Sequence, residues 1–403
     1  MESDPFNICM YTPSASGGHA RYTHEVLSAL AAKGQPEGIR VSLVTSRDLA
    51  SEYRTDRYPI YDVLPPLLPR SAFRSPVTWG LSRVVHYYKR ETAFLRWIEK
   101  HGSACDAVHF QEYTMWLAPR HLRSLKARGI RLFFTVHNVY PHRHTPGKPR
   151  VTDPLLLHWR RTAFRLCDGL FVHTESLREQ LAEFLGGEHP PIVVTPHGVW
   201  SSADAARAVT DVEERVGRRR LLFFGVARPN KGLHTLLRAM EGLDDCTLTV
   251  AGQPAEPRYQ EQIQAMAKRL PQGRVELIDR FIEDEEMGRI FGQSSLVVLP
   301  YISFAGQSGV LHDALAYGLP VVATDVGALG ESVLRWGIGQ VVPPGDDVAL
   351  AGAVREMLTP HRYVQASRAV DRARADLSWD RSAEIMIEAY RSTARERPRA
   401  IAT

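Results

Sequence analysis

Cysteine is scarce in this chain of 403 residues: Cys9, Cys105, Cys167 and Cys246 lie far apart, with no Cys-x-x-Cys and no metal-ligand spacing. That spacing gives no support to metal chemistry and points to buried thiols in a reducing compartment. No apolar run reaches the roughly 18 residues that would suggest a membrane span. The first residues, Met1 to Phe6, are acidic rather than a basic leader. A soluble, cytoplasmic protein is the expectation. No nucleic-acid reader motif accompanies the basic residues, so nucleic acid is not expected as a partner. The glycine loop after the first strand-like run lacks both the G-x-G-x-x-G spacing of a dinucleotide site and the G-x-x-x-x-G-K of a Walker loop.

What is present is enough apolar sequence for two cores, and 403 residues exceed what one core usually supports. The net charge of +5 is uneven, with +7 in residues 1–200 and −2 in the remainder. Much of the excess lies between Arg54 and Lys100, where Arg and Lys mix with Trp79, Tyr87, Tyr88 and Trp97. Such a stretch can lie on an anionic membrane surface or grip an acidic acceptor. The alternative is a helix pair with a solvated cationic face and aromatic core contacts.

Strand-like runs alternate with helical patterns in both halves. Phe6–Tyr11, Val41–Thr45, Asp106–Phe110, Leu132–Val136, Leu170–Thr174 and Ile192–Pro196 belong to the first. Leu221–Gly225, Thr247–Gly252, Arg274–Ile278, Ser295–Pro300 and Pro320–Thr324 belong to the second. This repetition predicts α/β architecture, two doubly wound parallel sheets that face each other and bind ligands at the C-terminal ends of their strands. The divisions are a first domain over 1–198, a linker over 199–219 and a second domain over 220–378. A final helix over 379–397, with Ala383, Met386, Tyr390 and Ala394 on one face, is expected to cross back onto the first domain.

Three segments carry chemistry. Ser16-Gly17-Gly18 opens a helix directly after the first strand, so its backbone amides can face a ligand, although Gly-Gly is also a common turn. In Leu221–Met240, Arg228 and Lys231 sit in the loop between a buried strand and the helix that Gly232 opens. An Arg fork and a Lys point charge there suit the two phosphates of a nucleotide diphosphate. In Gly306–Gly327, small residues and a Ser open an apolar helix carrying Asp313, and Gln307, Ser308, Gly309 and Val310 form an anion cradle at its start.

Together the strand-G-x-x-R-x-x-K-G run, the Gly-rich helix start followed by an acid and by Gly-Leu-Pro-Val-Val-Ala-Thr, and the early Gly-Gly loop resemble nucleotide-sugar-dependent glycosyltransferases of the GT-B fold, in particular the retaining glycosyltransferase family four. Thr135–His142, Phe171–Ser176 and Thr195–Val199 have counterparts there too. The resemblance implies that Arg228 and Lys231 hold the donor diphosphate and that the amides of Ser308 to Val310 cap its distal phosphate. It implies that Arg280, Phe281 and Ile282 hold the base, although Phe281 also suits a core. Of two acids eight positions apart in such enzymes, the second aligns with Asp313, and the first with Ala305, where Gln307 is a possible stand-in. Arg228 also lies later in its loop than the family's usual Arg.

His137 ends a buried strand, where similar enzymes place a His that touches the donor sugar or phosphate; imidazole can donate to a developing anion or relay an acceptor proton. His109 and Glu112, at the end of the preceding strand, and Asn138 are assigned to the acceptor or sugar pocket, with His142, Arg143 and His144 adding polarity nearby. Glu331 suits the ribose or a solvated helix cap. The implied activity is transfer of a sugar from a nucleotide-diphosphate donor to an unidentified acceptor, with retention, without metal or other cofactor, and with peripheral contact at the inner membrane face through the basic first domain. An epimerase on the same scaffold and a non-catalytic nucleotide-sugar binder are the alternatives.

Overall fold

Eleven of the strands were marked by apolar-rich runs, and those runs build two parallel sheets. The computed structural model describes residues 5–67, 72, 75–102, 105–112, 118–140, 153–200, 212–304 and 308–395. The chain forms two compact units, one of Met1–His197 with Trp379–Thr403, the other of Gly198–Ser378.

In the first unit the strands are β1 (Phe6–Tyr11), β2 (Ile39–Ser46), β3 (Ile60–Leu64), β4 (Ala107–Phe110), β5 (Arg131–Thr135), β6 (Gly169–Val172) and β7 (Ile192–Val194). They lie in the order β3-β2-β1-β4-β5-β6-β7. The second unit holds β8 (Arg220–Phe224), β9 (Thr247–Ala251), β10 (Val275–Ile278), β11 (Leu296–Leu299), β12 (Val321–Thr324) and β13 (Gly339–Val342), ordered β10-β9-β8-β11-β12-β13. Both orders reverse direction beside the first strand of the unit, at β1/β4 and at β8/β11. Loops leaving the C-terminal ends of those strands diverge there and open a crevice, which is where such sheets bind ligands.

The two strands missed in the sequence, β3 and β13, are sheet edges. Neither carries a continuous apolar run, and most of each is only partly buried; the other two edges, β7 and β10, were read. Within the stretch assigned to the linker, Val212–Gly217 is helical, and its buried Arg215 donates from Nη1 to the carbonyls of Tyr317 (3.2 Å) and Gly318 (3.0 Å).

The last helix, Trp379–Arg395, belongs to the first unit and lies along helix Gly17–Gly34. Ala383, Met386 and Tyr390 are fully buried on its inner stripe. Lys33 pairs with Asp380 (3.2 Å) and Glu384 (3.4 Å) at its exposed flank, contributing little beside that apolar burial. Between Arg54 and Lys100 the expected helix pair is instead a single helix of 26 residues, Pro76–His101, begun by Ser75 Oγ accepting from the Thr78 amide. Phe94 and Ile98 point into the core, while Arg83, Val84, Val85, Tyr88 and Lys89 are exposed.

Candidate active site

In the second unit the crevice at β8/β11 is shaped by backbone. Gly232 has φ +68°, and a Cβ on it would lie 1.8 Å from the Pro300 carbonyl oxygen. Only glycine allows the loop after β8 to meet the loop after β11 so closely. Asn230 fastens the same junction: its carbonyl accepts from the amides of Ile302 (2.8 Å) and Ser303 (3.3 Å), and its Nδ2 donates to Ser303 O (3.1 Å).

The loop that this junction fixes carries both predicted cations. Lys231 Nζ stands 5.4 Å from the centroid of the Tyr301 ring, a cation–π distance, and Tyr301 Oη is 3.0 Å from Ser308 Oγ. A Cβ on Gly225, the residue after β8, would touch Lys231 Nζ at 3.3 Å and Val310 Cγ2 at 3.5 Å. Lys231 is therefore gathered with the first turn of helix Gly309–Ala316. Ser308 occupies the N-cap without capping through its side chain, which is turned to Tyr301 instead. Among the described residues no side chain caps the positive end of that helix. Arg228 is exposed at the start of the Lys231 turn, and among the described residues no hydrogen bond or ion pair engages its guanidinium.

Asp313 is buried within the same helix. Gln307, like Ala305, lies outside the described residues. Trp200 Nε1 donates to Gly309 O (3.2 Å), bracing the helix start. Arg280 is committed to Glu286 through two contacts of 2.7 and 2.8 Å and is not a free cation. Phe281 is 65% exposed, which removes the core reading of its ring, whereas Ile282 is buried. Glu331 is half-buried, with Oε2 sheltered and unpartnered among the described residues, which does not suit a solvated cap.

In the first unit a histidine chain replaces the cations. His173 Nδ1 lies 3.1 Å from Thr195 O, so it donates there, and its Nε2 must then accept from His137 Nδ1 at 3.0 Å. This network assigns a neutral His137 whose Nε2 carries a lone pair; that atom is sheltered and without a partner among the described residues. Burial, followed by the neighbouring His19, His173 and His109 rings, holds His137 well below the usual imidazole range. Burial lowers His173 to about 4, partly opposed by its bond to Thr195. In that tautomer His137 presents an acceptor at Nε2, which suits the relay of an acceptor proton read for it rather than donation to a developing anion.

The His19 ring sits 4.8 Å from that of His137, and His19 Nδ1 is 3.9 Å from Glu112 Oε1, which also accepts from Thr12 Oγ1 at 3.3 Å. Gly17, at φ +76°, and Gly18 are exposed with open space above them, so their backbone is approachable. Asn138 is half-buried and its carbonyl accepts from Arg160 Nη2.

His109 does not line a pocket. It is completely buried, with Nδ1 2.5 Å from Tyr390 Oη and Nε2 2.8 Å from Thr135 Oγ1, and burial lowers it to about 3. It ties the last helix to the sheet. His142, Arg143 and His144 lie outside the described residues, and no group of three metal-ligating side chains occurs among those described.

Sequence reasoning missed Tyr301, Asn230 and His173 as organisers. Tyr301 follows β11 directly, and its position after a buried strand was the available signal. His173 stood in the quoted Phe171–Ser176 run without a role.

Two sheets of order 3-2-1-4-5-6, one extended by a seventh strand, with a lysine and a helix start gathered at one switch point, define a GT-B glycosyltransferase. Residues 16–218 match the profile described as Glycosyltransferase Family 4, and residues 218–360 match Glycosyl transferases group 1. The chain belongs to glycosyltransferase family 4. Glycogen synthase of Mycobacterium tuberculosis is 25% identical to it over 415 aligned positions, spanning 96% of this chain and 95% of that protein. Among solved structures, sucrose-phosphate synthase from Thermosynechococcus elongatus superposes with a TM-score of 0.71 at 20% identity, covering 97% of this chain and 100% of the other. Anabaena HepE in complex with UDP-glucose gives 0.64 at 16% identity, covering 96% and 99%. No helix among the described residues is long and apolar enough to cross a membrane.

Proposed function

We propose that this glycosyltransferase moves a hexosyl group from a nucleotide-diphosphate donor to its acceptor with retention of configuration and without a metal ion. One observation carries the reading: Lys231 Nζ is held beside Gly225, Val310 and Tyr301, so its charge accompanies the uncapped start of helix Gly309–Ala316. Breaking the anomeric C–O bond makes the sugar oxocarbenium-like and leaves growing negative charge on the diphosphate. Lys231, Arg228 and the helix amides are suited to that charge, with the exposed face of Phe281 for the base. His137 Nε2 accepts from a hydroxyl of the donor sugar or acceptor. The similarity to HepE, whose structure holds UDP-glucose, supports a uridine donor.

The test is release of nucleoside diphosphate across a donor panel, with Lys231→Ala beside wild type. Loss of about 10²–10³-fold in kcat at unchanged melting temperature is expected. A nearly normal rate would overturn the assigned role, and binding of UDP without turnover under any acceptor would replace the transferase by a binder. The reading includes cytoplasmic, peripheral membrane contact, supported by exposed Val84, Val85 and Tyr88 beside Arg83 and Lys89. Flotation with anionic but not neutral vesicles is its check.

A further inference from the structure

His19 stands at the rim of the histidine chain, in the first turn of helix Gly17–Gly34. Its backbone is fixed, because Thr23 Oγ1 donates to His19 O at 2.7 Å. Its side chain is open: 43% of it is exposed, whereas Tyr22 and His173, the other two rings packed against His137, are buried. Cβ atoms on Gly17 and Gly18 would meet nothing within 4 Å, so the helix start that leads into the imidazole is open to a ligand.

Glu112 faces His19 from the loop after β4. Its Oε1 accepts from Thr12 Oγ1 at 3.3 Å and stands 3.9 Å from His19 Nδ1, too far for a hydrogen bond but close enough to favour the imidazole proton on Nδ1. Thr12 is fully buried and accepts from the Ser14 amide at 3.4 Å, so the carboxyl is held from the sheet side. Among the described residues nothing bonds Glu112 Oε2 or His19 Nε2. In the adjoining ring, His137 Nε2 is a third lone pair without a partner. A ligand that brings O–H groups satisfies lone pairs, whereas a phosphate or carboxylate group brings more lone pairs and satisfies none. One hydroxyl has one proton to donate, so acceptors on separate side chains call for several hydroxyls on one scaffold.

We infer that His19 and Glu112 form a hydroxyl clamp for the acceptor, and that the part of the acceptor reaching them is an uncharged polyol such as a saccharide. His19 Nε2 takes one hydroxyl and Glu112 Oε2 takes its neighbour, beside the His137 imidazole. Thr12 fixes the carboxyl, and the carboxyl in turn fixes the tautomer of His19, so the clamp has a set direction. The clamp rests on the transferase reading and gives that reading the chemical class of its acceptor.

The probes are methyl α-D-glucopyranoside, methyl α-D-mannopyranoside and xylitol as polyols, cyclohexanol as a single hydroxyl and glucosamine as a hydroxylated cation. Each is titrated into the full chain with and without UDP, followed by NMR of the imidazole C–H groups and by saturation transfer to the probe. Saturable shifts at His19 are expected with at least one polyol, with cyclohexanol weaker by about tenfold or more. His19→Phe, which keeps a ring and removes both nitrogens, should weaken that polyol about tenfold with UDP affinity unchanged. His19→Gln, able to accept at Oε1, should recover part of the loss, which a packing role would not allow. Glu112→Gln, which keeps the shape and turns one oxygen into a donor, should weaken the polyol similarly and decides if His19→Phe disturbs the helix start. Absence of His19 shifts with every polyol, cyclohexanol or glucosamine binding as tightly as the best polyol, or undiminished binding by the variants overturns the clamp. If UDP fails to bind wild type while a polyol shifts His19, the transferase reading falls and the clamp survives as a polyol site; if UDP binds and no polyol does, the clamp falls alone.

Discussion

The two units solve opposite electrostatic problems at the C-terminal ends of similarly ordered sheets. At the β8/β11 switch point the second unit keeps its cations in water: Arg228 is exposed, Lys231 half-buried, and the loop that carries them is shaped by glycine and fastened by Asn230. In the first unit the polar groups that follow β5 and β6 are drawn inward, and burial keeps the His137 and His173 imidazoles neutral. Charge that is to meet a charged ligand costs least when it stays solvated until the ligand arrives. Neutral donors and acceptors can be buried cheaply once each is paired, and burial then fixes their direction. The lesson is that one scaffold can present charge at one unit and directed lone pairs at the other, by changing only what its loops carry.

The largest expected effect comes from the glycine that shapes the cationic loop. Gly232→Ala would place a methyl 1.8 Å from Pro300 O at a φ of +68°, and the junction must separate. A loss of at least about 3 kcal/mol is expected, read as a lowered midpoint in urea unfolding, together with loss of UDP affinity. If Gly232→Ala kept both, the loop would not be the rigid platform that distinguishes the second unit. In the first unit the corresponding change is His173→Phe, which removes the acceptor of His137 Nδ1 while keeping an aromatic ring. Turnover about tenfold lower, with UDP affinity unchanged, is expected as His137 loses its fixed tautomer. His173→Gln, able to accept at Oε1, should recover part of that rate. Equal losses in both variants would point to packing rather than proton placement.

The same contrast explains what could be read before any coordinates. Interior strands are buried on both faces and announce themselves as apolar-rich runs, and the edges β7 and β10 were read as well; β3 and β13, the other two edges, carry too little apolar sequence to do so. Lys231 and Gly232 could be placed in the loop after β8 because the buried strand, the loop and the helix that Gly232 opens follow one another directly in the sequence. His109 was misplaced because strand-end residues alternate between faces. Val108 and Phe110 point to the face covered by helix Pro76–His101, so His109 points to the other, which Trp379–Arg395 covers. That choice depends on a helix almost three hundred residues away in the chain. Tyr301 and His173 act through Lys231, His137 and Thr195, all distant in sequence, and only the place of Tyr301 directly after β11 marked it locally.

The smallest effect tests whether inward-drawn polar groups in the first unit are always held neutral. Glu91 faces His121 across 2.9 Å, lines a small gap in the core together with Glu112 and follows the buried Arg90, whose Nη2 donates to Pro13 O. Its folded value of about 8 lies above the ordinary carboxyl value of 4.5, so the folded state holds the proton longer than the unfolded state. Below about pH 4.5 the group is neutral in both states and imposes no cost. Between there and about pH 8 the unfolded chain releases its proton while the folded chain retains it, so stability falls as pH rises, and above that range it levels off. Glu91→Gln removes this titration but keeps the shape, and its stability should decline less over the window. The difference accumulated should be at least about 1 to 2 kcal/mol, measured by urea unfolding at pH 5 and pH 8. Parallel pH profiles for the two proteins would mean that Glu91 is ionised when folded. In that case His121 carries the compensating proton, and the first unit buries an ion pair where the histidine chain buries neutral groups.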